Sequence, residues 1–167
     1  MVLATASLIL GGSASAQTLT LTGDDARVIA QVAQRLGDTD YAEDIIQTPS
    51  IVVHRDSGEV WFRGDFIGCT DGVGCQAIAL TADFGELGLT NDQLNEFNRE
   101  YFYVRAFTNF QNSVILQQDL SLTNGVNDEW LFQAFATYGR MVDTFGDWAA
   151  PFATAPGTDG GSTLWGG

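Results

Sequence analysis

Short connections between β-rich runs constrain the fold of this chain more than any other feature of its sequence. Five such runs occur, at residues 51–54, 60–66, 75–84, 102–108 and 113–122. Turn-forming residues join them, with Asp56-Ser57-Gly58 after the first run and residues 109–112 between the last two. Parallel neighbours need a crossover of about a dozen residues or more, so strands that are linked this closely should pair antiparallel.

Three helical patterns surround these strands. The first spans residues 24–36, the second begins at a capping box of Thr90 and Gln93, and the third follows Asn127 as its N-cap. The third helix carries an apolar stripe at helical spacing, which predicts a core face: Leu131, Phe135, Tyr138, Val142 and Phe145. The predicted fold class is α+β in the order α-β-β-β-α-β-β-α, a five-stranded antiparallel sheet with helices mainly on one face.

The charge balance argues against two classes of partner. The 167 residues include 21 acids, seven arginines and no lysine, which gives a net charge of −14. Nucleic acids and anionic lipid heads are bound by basic surfaces, so neither is expected as a partner. A hydrophobic content of 45% with 17% charged residues is typical of a globular protein, and the length favours one folded domain.

The N-terminus has the pattern of a secretory signal peptide. Residues 2–10 form an apolar run that is too short to cross a bilayer, and Ala14-Ser15-Ala16 is an A-x-A cleavage site. No basic residue precedes the run, and a buried N-terminal strand or helix is the alternative. The predicted organisation is a signal peptide over 1–16, an α+β domain over 17–150 and a disordered tail over 151–167. Cleavage after Ala16 would leave a periplasmic or secreted protein with no membrane insertion.

Cys69 and Cys75 are the only cysteines, and a glycine-containing turn separates them. In an oxidising compartment such a pair forms a disulfide, which here would join the two ends of a hairpin. The spacing is not the C-x-x-C of thiol exchangers, and a metal site would need two further ligands. We therefore predict a structural disulfide, with free thiols or a catalytic pair as the alternatives.

Few residues are candidates for catalysis or metal binding. Four carboxylates fall near predicted strand ends, and such groups can act in acid–base chemistry or bind Ca²⁺: Asp65, Asp71, Asp83 and Glu86. A chain with 21 acids forms clusters of this kind by chance, and no EF-hand spacing is present. His54 lies in a predicted strand, where a structural role is favoured over that of a base. We predict no catalytic residue, no metal and no cofactor.

A polar segment near the end of the second helix has two interpretations. In the structural one, Asn98 hydrogen-bonds nearby backbone and Arg99 pairs with a carboxylate. In the functional one, Asn95, Asn98 and Arg99 form a recognition patch. The structural interpretation is favoured.

Strand alternation predicts a second, half-apolar face of the sheet. If the helices cover one face, the other is lined by Trp61, Tyr103 and Ile115 with Ala77, Ala79 and Thr81. Apolar surface of this kind marks a partner, dimer or ligand surface unless a loop or the tail covers it. We predict a binding surface formed by Trp61, Tyr103 and Ile115.

Several segments form a characteristic set: Phe66-Ile67-Gly68-Cys69, residues 75–84, residues 94–100, Tyr103-Val104-Arg105-Ala106, residues 118–122 and Gly125-Val126. Together they resemble the YbjN-domain family, whose members are described as bacterial sensory transduction regulators, over about residues 24–148. The most specific part is an Asn-x-x-Asn-Arg segment that precedes an Arg-Ala strand. This chain has Phe97-Asn98 where the family often has Trp-Asn.

The resemblance implies a fold similar to that of type III secretion chaperones, with the same order of elements. It implies no catalytic residues, because none is established for the family. Secretion chaperones work in the cytoplasm, whereas the N-terminus of this chain predicts export. A literal secretion-chaperone role is therefore not expected.

These observations favour an exported, non-enzymatic YbjN-like domain with a sensory, regulatory or chaperone-like role. It would bind a protein or peptide, or a second copy of itself, through the sheet, and its acidic surface would prefer basic or neutral partners. The alternative is a small-molecule sensor with a pocket between sheet and helices, closed by an acidic loop over residues 38–44. A hydrolase without a recognisable motif is the third hypothesis.

Overall fold

The computed structural model describes residues 19–45 and 47–152. The predicted signal peptide, 1–16, and the predicted tail beyond Phe152 lie outside the described residues. The elements are β1 (Thr20–Leu21), α1 (Ala26–Ala33), β2 (Thr39–Glu43), β3 (Pro49–His54), β4 (Val60–Ile67), β5 (Ala77–Asp83), α2 (Asn91–Glu100), β6 (Arg105–Thr108), β7 (Val114–Ser121), β8 (Val126–Asn127) and α3 (Asp128–Ala149). No helix in the two described ranges is long and apolar enough to span a membrane.

Six strands form one antiparallel sheet in the order β2-β3-β4-β5-β7-β6, and β1 pairs separately with β8. The predicted α+β class and the antiparallel pairing are confirmed. The number of strands differs, because the main sheet has six strands rather than five. The chain passes from β5 through α2 to β6 at the outer edge, then returns through β7, which lies between β5 and β6.

The sixth strand is β2, in the segment that the sequence predicts as an acidic loop over residues 38–44. Thr39 is buried and Tyr41 is half-buried on the helix-covered side, while Asp40 and Glu43 are exposed. Because β2 is an edge strand, its carboxylates stay in solvent while its backbone pairs with β3. The acidic composition suggested a loop, but tertiary pairing makes it a strand.

The helices cover one face of the sheet and enclose the core. Alternate residues of the central strands are buried on this side, and the predicted stripe of α3 packs against them. Phe62 meets Tyr138 edge-on, with ring centroids 5.2 Å apart. The Tyr138 hydroxyl donates to the buried carbonyl of Leu116 at 2.7 Å, which satisfies the one polar atom of that ring. The predicted core face of α3 is confirmed.

Two of the predicted helix starts are confirmed by their caps. The Thr90 hydroxyl accepts from the backbone N–H of Gln93 and the Gln93 side chain accepts from the Thr90 N–H, a complete capping box. At α3, the side-chain oxygen of Asn127 accepts from the N–H of Trp130 at 2.6 Å.

The first helix is shorter than predicted, because α1 ends at Ala33 rather than near residue 36. The N–H groups of Arg35 and Leu36 bond to carbonyls three residues earlier, so the last turn tightens and leaves the α-helix. Gly37 follows, where a Cβ atom would lie 2.3 Å from the carbonyl oxygen of His54. Only glycine allows β3 to approach this closely.

Candidate functional site

The face of the main sheet that points away from the helices is its open face. Cross-strand partners form two rows on it: Asp40, Val52, Arg63, Thr81, Gln117 and Arg105 in one, and Ala42, Ser50, Asp65, Ala79 and Asp119 in the next. Every one of these residues is half-buried or exposed, and none is buried. The described part of the chain therefore leaves this face accessible.

The open face has small residues at its centre and paired polar groups around them. Ala77, Ala79 and Thr81 project from the central strand β5. Arg63 pairs with Asp65 at 3.2 Å on the adjacent β4. On the other side, the Gln117 amide donates to the Asp119 carboxylate at 2.8 Å. The result is a low, polar-rimmed surface of the kind that another protein can cover.

Ile115 lies at one end of this face and Tyr103 lies at its border. Ile115 stands between Asp83 on β5 and Phe107 on β6. Tyr103 belongs to the turn that precedes β6, where its side chain is 65% exposed and its ring lies 5.2 Å from that of Phe102. Residues 102–105 and 117–119 enclose a shallow cleft of about 410 Å³ beside Tyr103.

Trp61 is not on the open face, and that part of the predicted surface is wrong. Its ring lies against Gly139 of α3, and its Nε1 donates to the Asp143 carboxylate at 3.2 Å. The Arg55 guanidinium, which is hydrogen-bonded to Asp143, lies 5.2 Å from the centre of the ring. Trp61 therefore helps to dock α3 and does not join Tyr103 and Ile115.

A β-bulge explains the position of Trp61. Val53 pairs with Phe62 but His54 pairs with Val60, so Trp61 is an extra residue in β4. A bulge breaks the strict alternation of sides on which the prediction relied. The sequence carries no separate signal for it, since the register of β3 and β4 is known only from the structure.

Asn98 has a structural role, which confirms the structural interpretation of the polar segment for this residue. Its side-chain amide donates to the carbonyl of Ala106 and accepts from the N–H of the same residue. Asn95 is exposed, and Arg99 makes no ion pair within the described ranges, so the expected carboxylate partner of Arg99 is not found.

His54 also has a structural position. Its Nε2 lies 3.0 Å from a carboxylate oxygen of Asp40, and its Nδ1 lies 3.3 Å from the carbonyl of Gly58. The ring thus connects the edge strand β2 to the turn between β3 and β4. No nucleophile is among these contacts.

The four candidate carboxylates are not gathered into a site. Asp65 pairs with Arg63, and Asp83 accepts from the N–H of Gly85 at 2.8 Å. Asp71 lies in the turn between β4 and β5, and Glu86 is exposed in the segment between β5 and α2. Among the described residues, no group of three or more His, Cys, Asp and Glu side chains could hold a metal ion.

A disulfide joins Cys69 to Cys75 across that turn. Within the loop, Thr70 and Val73 exchange backbone hydrogen bonds of 2.8 and 3.1 Å. The Asp24 carboxylate accepts from the N–H of Gly74 at 2.7 Å, which ties the loop to the segment before α1. The bridge therefore closes a compact loop, and the Asp24 hydrogen bond holds that loop against the body of the domain.

Comparisons with known proteins place the chain in a family. No curated protein matches it significantly. The solved structure titled "Crystal Structure of the ExsC-ExsE Complex" is 19% identical and covers 83% of this chain and 100% of its own, with a TM-score of 0.43. At that TM-score the likeness does not establish a shared fold. A family model described as "Putative bacterial sensory transduction regulator" matches residues 25–151, so the chain belongs to the YbjN family.

Proposed function

We propose that this protein is a non-catalytic regulatory module that binds a protein partner through the open face of its sheet. The observation that carries the proposal is that the described residues leave this face accessible across all six strands, while the helices cover the opposite face. The family's description as a regulator of sensory transduction supports a role in signalling. Such a role requires recognition of another molecule and no chemical step by this chain.

The net charge of −14 shapes the choice of partner. Opposite charge speeds encounter and like charge disfavours the wrong partner. A partner surface that is basic or neutral therefore suits this protein better than an acidic one.

Export is part of the proposal, and the disulfide supports it, because such bonds persist in oxidising compartments. The test is cell fractionation with N-terminal sequencing of the recovered protein. Recovery from the periplasm or medium with Gln17 as first residue supports export. Recovery in the cytoplasm with Met1 retained contradicts it.

Site-specific photo-crosslinking in the source cell tests the binding surface. A photoreactive amino acid replaces Thr81 at the centre of the open face, and the matched control carries it at Asn95, which is exposed on α2. We expect a discrete adduct from position 81 and none from position 95. Equal labelling at both positions, or no adduct at position 81, would contradict the proposal.

A second pair of variants tests whether the adduct reports binding. Ala79→Arg places a long side chain at the centre of the open face, and Asn95→Arg adds the same charge on α2. Ala79→Arg should abolish the adduct, whereas Asn95→Arg should preserve it. An adduct of twice the mass of the recovered chain would identify a second copy as the partner.

The alternative function, a small-molecule sensor, stays a prediction. It is less well supported than protein binding, because the residues expected to form a loop that closes the pocket, 38–44, contain strand β2 instead. A metabolite screen by thermal unfolding tests it, since a ligand that binds the native state raises its stability.

A further inference from the structure

The cleft beside Tyr103 is formed where one strand ends and its neighbour continues. Strand β6 begins at Arg105, opposite Gln117, whereas β7 runs on to Ser121. Among the described residues, no strand therefore lies beside the last four residues of β7 at this edge. The turn over residues 102–104 forms the opposite wall of the cleft.

The turn side of the cleft presents two aromatic rings to solvent. The Phe102 side chain is 78% exposed and that of Tyr103 is 65% exposed, and their ring centroids are 5.2 Å apart. Two adjacent, uncovered aromatic rings leave apolar faces in water. Such faces attract cations through the negative charge of the ring quadrupole.

The strand side of the cleft presents hydrogen-bond acceptors. The Asp119 side chain is exposed, and its carboxylate has two oxygens, of which Oδ1 accepts from the Gln117 amide. Gln118 also lines the cleft, but it pairs with the buried Leu80, so its side chain lies on the helix-covered side of β7 and not beside Asp119. The acceptor that this wall offers to a ligand is therefore the Asp119 carboxylate.

Arg105 is the one cationic residue that lines the cleft, and its charge is directed away from the Asp119 carboxylate. The Arg105 guanidinium lies 5.2 Å from the centre of the Phe107 ring, which is a half-buried residue of β6. No ion pair joins Arg105 to Asp119. The net charge of −14 adds a field that draws cations to the surface.

We infer that this cleft binds an arginine side chain of the partner protein. Its planar guanidinium would stack on the Tyr103 or Phe102 ring and donate to the two oxygens of the Asp119 carboxylate. Arginine fits better than lysine, because its fork of donors is flat and stacks on aromatic faces while bonding two acceptors. The inference rests on the proposed function and names the chemistry by which the partner is anchored.

An NMR titration of the ¹⁵N-labelled full chain tests this site. The probe is N-acetyl-arginine amide, compared with the lysine and citrulline analogues, citrulline having nearly the same shape without the charge. We expect saturable shifts of the Tyr103 and Asp119 backbone signals, strongest with arginine. Asp119→Asn should weaken binding roughly tenfold through loss of a charge-assisted hydrogen bond, and Tyr103→Ala by about threefold or more.

Two control variants separate this site from general attraction to an acidic protein. Asp56→Asn removes an exposed acid in the turn between β3 and β4, and Phe110→Ala removes a 95% exposed ring between β6 and β7. Neither should change the affinity. The inference is overturned if citrulline binds as well as arginine, if shifts spread over the acidic surface without singling out Tyr103 and Asp119, or if Asp56→Asn weakens binding equally.

The two proposals, partner binding at the open face and arginine binding in the cleft, can be contradicted independently of each other. A crosslinked partner at position 81 without arginine binding at the cleft would contradict only the arginine site. Arginine binding at the cleft without any adduct at position 81 would contradict the open face as the partner surface. The amide spectrum of each variant verifies that the fold is retained before its affinity is compared.

Discussion

Asn98 on α2 completes the edge strand β6 at Ala106 by two hydrogen bonds. Its Nδ2 donates to the carbonyl of Ala106 at 2.8 Å, and its Oδ1 accepts from the Ala106 N–H at 2.7 Å. The side-chain amide thus takes the place of a neighbouring strand at a residue that is only 2% exposed. This contact gives a physical role to the asparagine of the Asn98-Arg99 segment, which belongs to the most specific part of the family pattern.

Replacing Asn98 with alanine should destabilise the fold. Both backbone groups of Ala106 would lose their partners in a buried position, at a cost of about 1–3 kcal/mol. Urea unfolding of Asn98→Ala measures the loss, and Asn95→Ala, on the exposed side of the same helix, is the control. Equal stability of the two variants would mean that the amide pairing contributes nothing.

Gly139 and Gly146 on α3 should respond in opposite directions to alanine. A Cβ atom at Gly139 would lie 2.4 Å from the Trp61 ring, whereas at Gly146 it would make an ordinary 3.8 Å contact with Phe84. Gly139→Ala should therefore lose about 1–3 kcal/mol through overpacking, and Gly146→Ala should gain up to about 1 kcal/mol in helix propensity.

Thermal unfolding and tryptophan fluorescence check this pair of variants. Displacement of Trp61 should change the emission of Gly139→Ala and leave that of Gly146→Ala unchanged. If Gly139→Ala proved as stable as Gly146→Ala, Trp61 would not be held tightly against α3.

Tyr138 should make the fold sensitive to alkaline pH. Burial raises the pKa of its phenol above the ordinary value. The folded state then holds the proton more tightly than the unfolded chain, so its contribution to stability is complete below about pH 10 and is lost as pH rises towards the folded pKa. Tyr138→Phe removes this dependence, although it also loses the hydrogen bond to Leu116.

The free energy of unfolding, measured by urea between pH 8 and 12, tests the alkaline effect. Above pH 10, the free energy of unfolding should fall less steeply with pH in Tyr138→Phe than in the wild type, by up to about 1.4 kcal/mol per pH unit. Burial and Glu43 raise the pKa of Tyr41 to about 12, so part of the alkaline loss should persist. Identical slopes in both proteins would refute the role of Tyr138.

Opening the disulfide should lower stability without abolishing the fold. The loop between Cys69 and Cys75 is short, so the chain-entropy model gives about 2 kcal/mol. The double variant Cys69→Ser/Cys75→Ser, compared with wild type with and without reductant, provides the measurement. Reductant should lower the urea midpoint of the wild type to near that of the variant, and an effect on the variant itself would point to another cause.

Local signals in the sequence identified those elements whose ends and faces depend on neighbours along the chain. The capping box at Thr90 and the Asn127 cap place α2 and α3, because these bonds form within four residues. The alternation of β5 placed Ile78 and Leu80 on the buried side, since side chains on a strand change faces at every residue.

Pairing between strands that are distant in the sequence decided the features that local patterns did not predict. Strand β2 looks like an acidic loop, and only its pairing with β3 makes it an edge strand. One of the three residues of the predicted binding surface is misplaced for the same reason, because the bulge that turns Trp61 towards α3 is a mismatch between two strands. The cleft at Tyr103 likewise depends on pairing, because β6 begins only opposite Gln117 while β7 continues to Ser121.

The sequence by itself determined the α+β class, the order of its predicted elements and the buried stripe of α3, since these follow from periodicity and local capping. Only the tertiary structure decided the sixth strand, the side on which Trp61 lies and the use of Asn98 to complete β6 at Ala106. Each of these depends on which residue of one segment faces which residue of another. Register between distant segments is set by the packing of the whole core, and no local pattern encodes it.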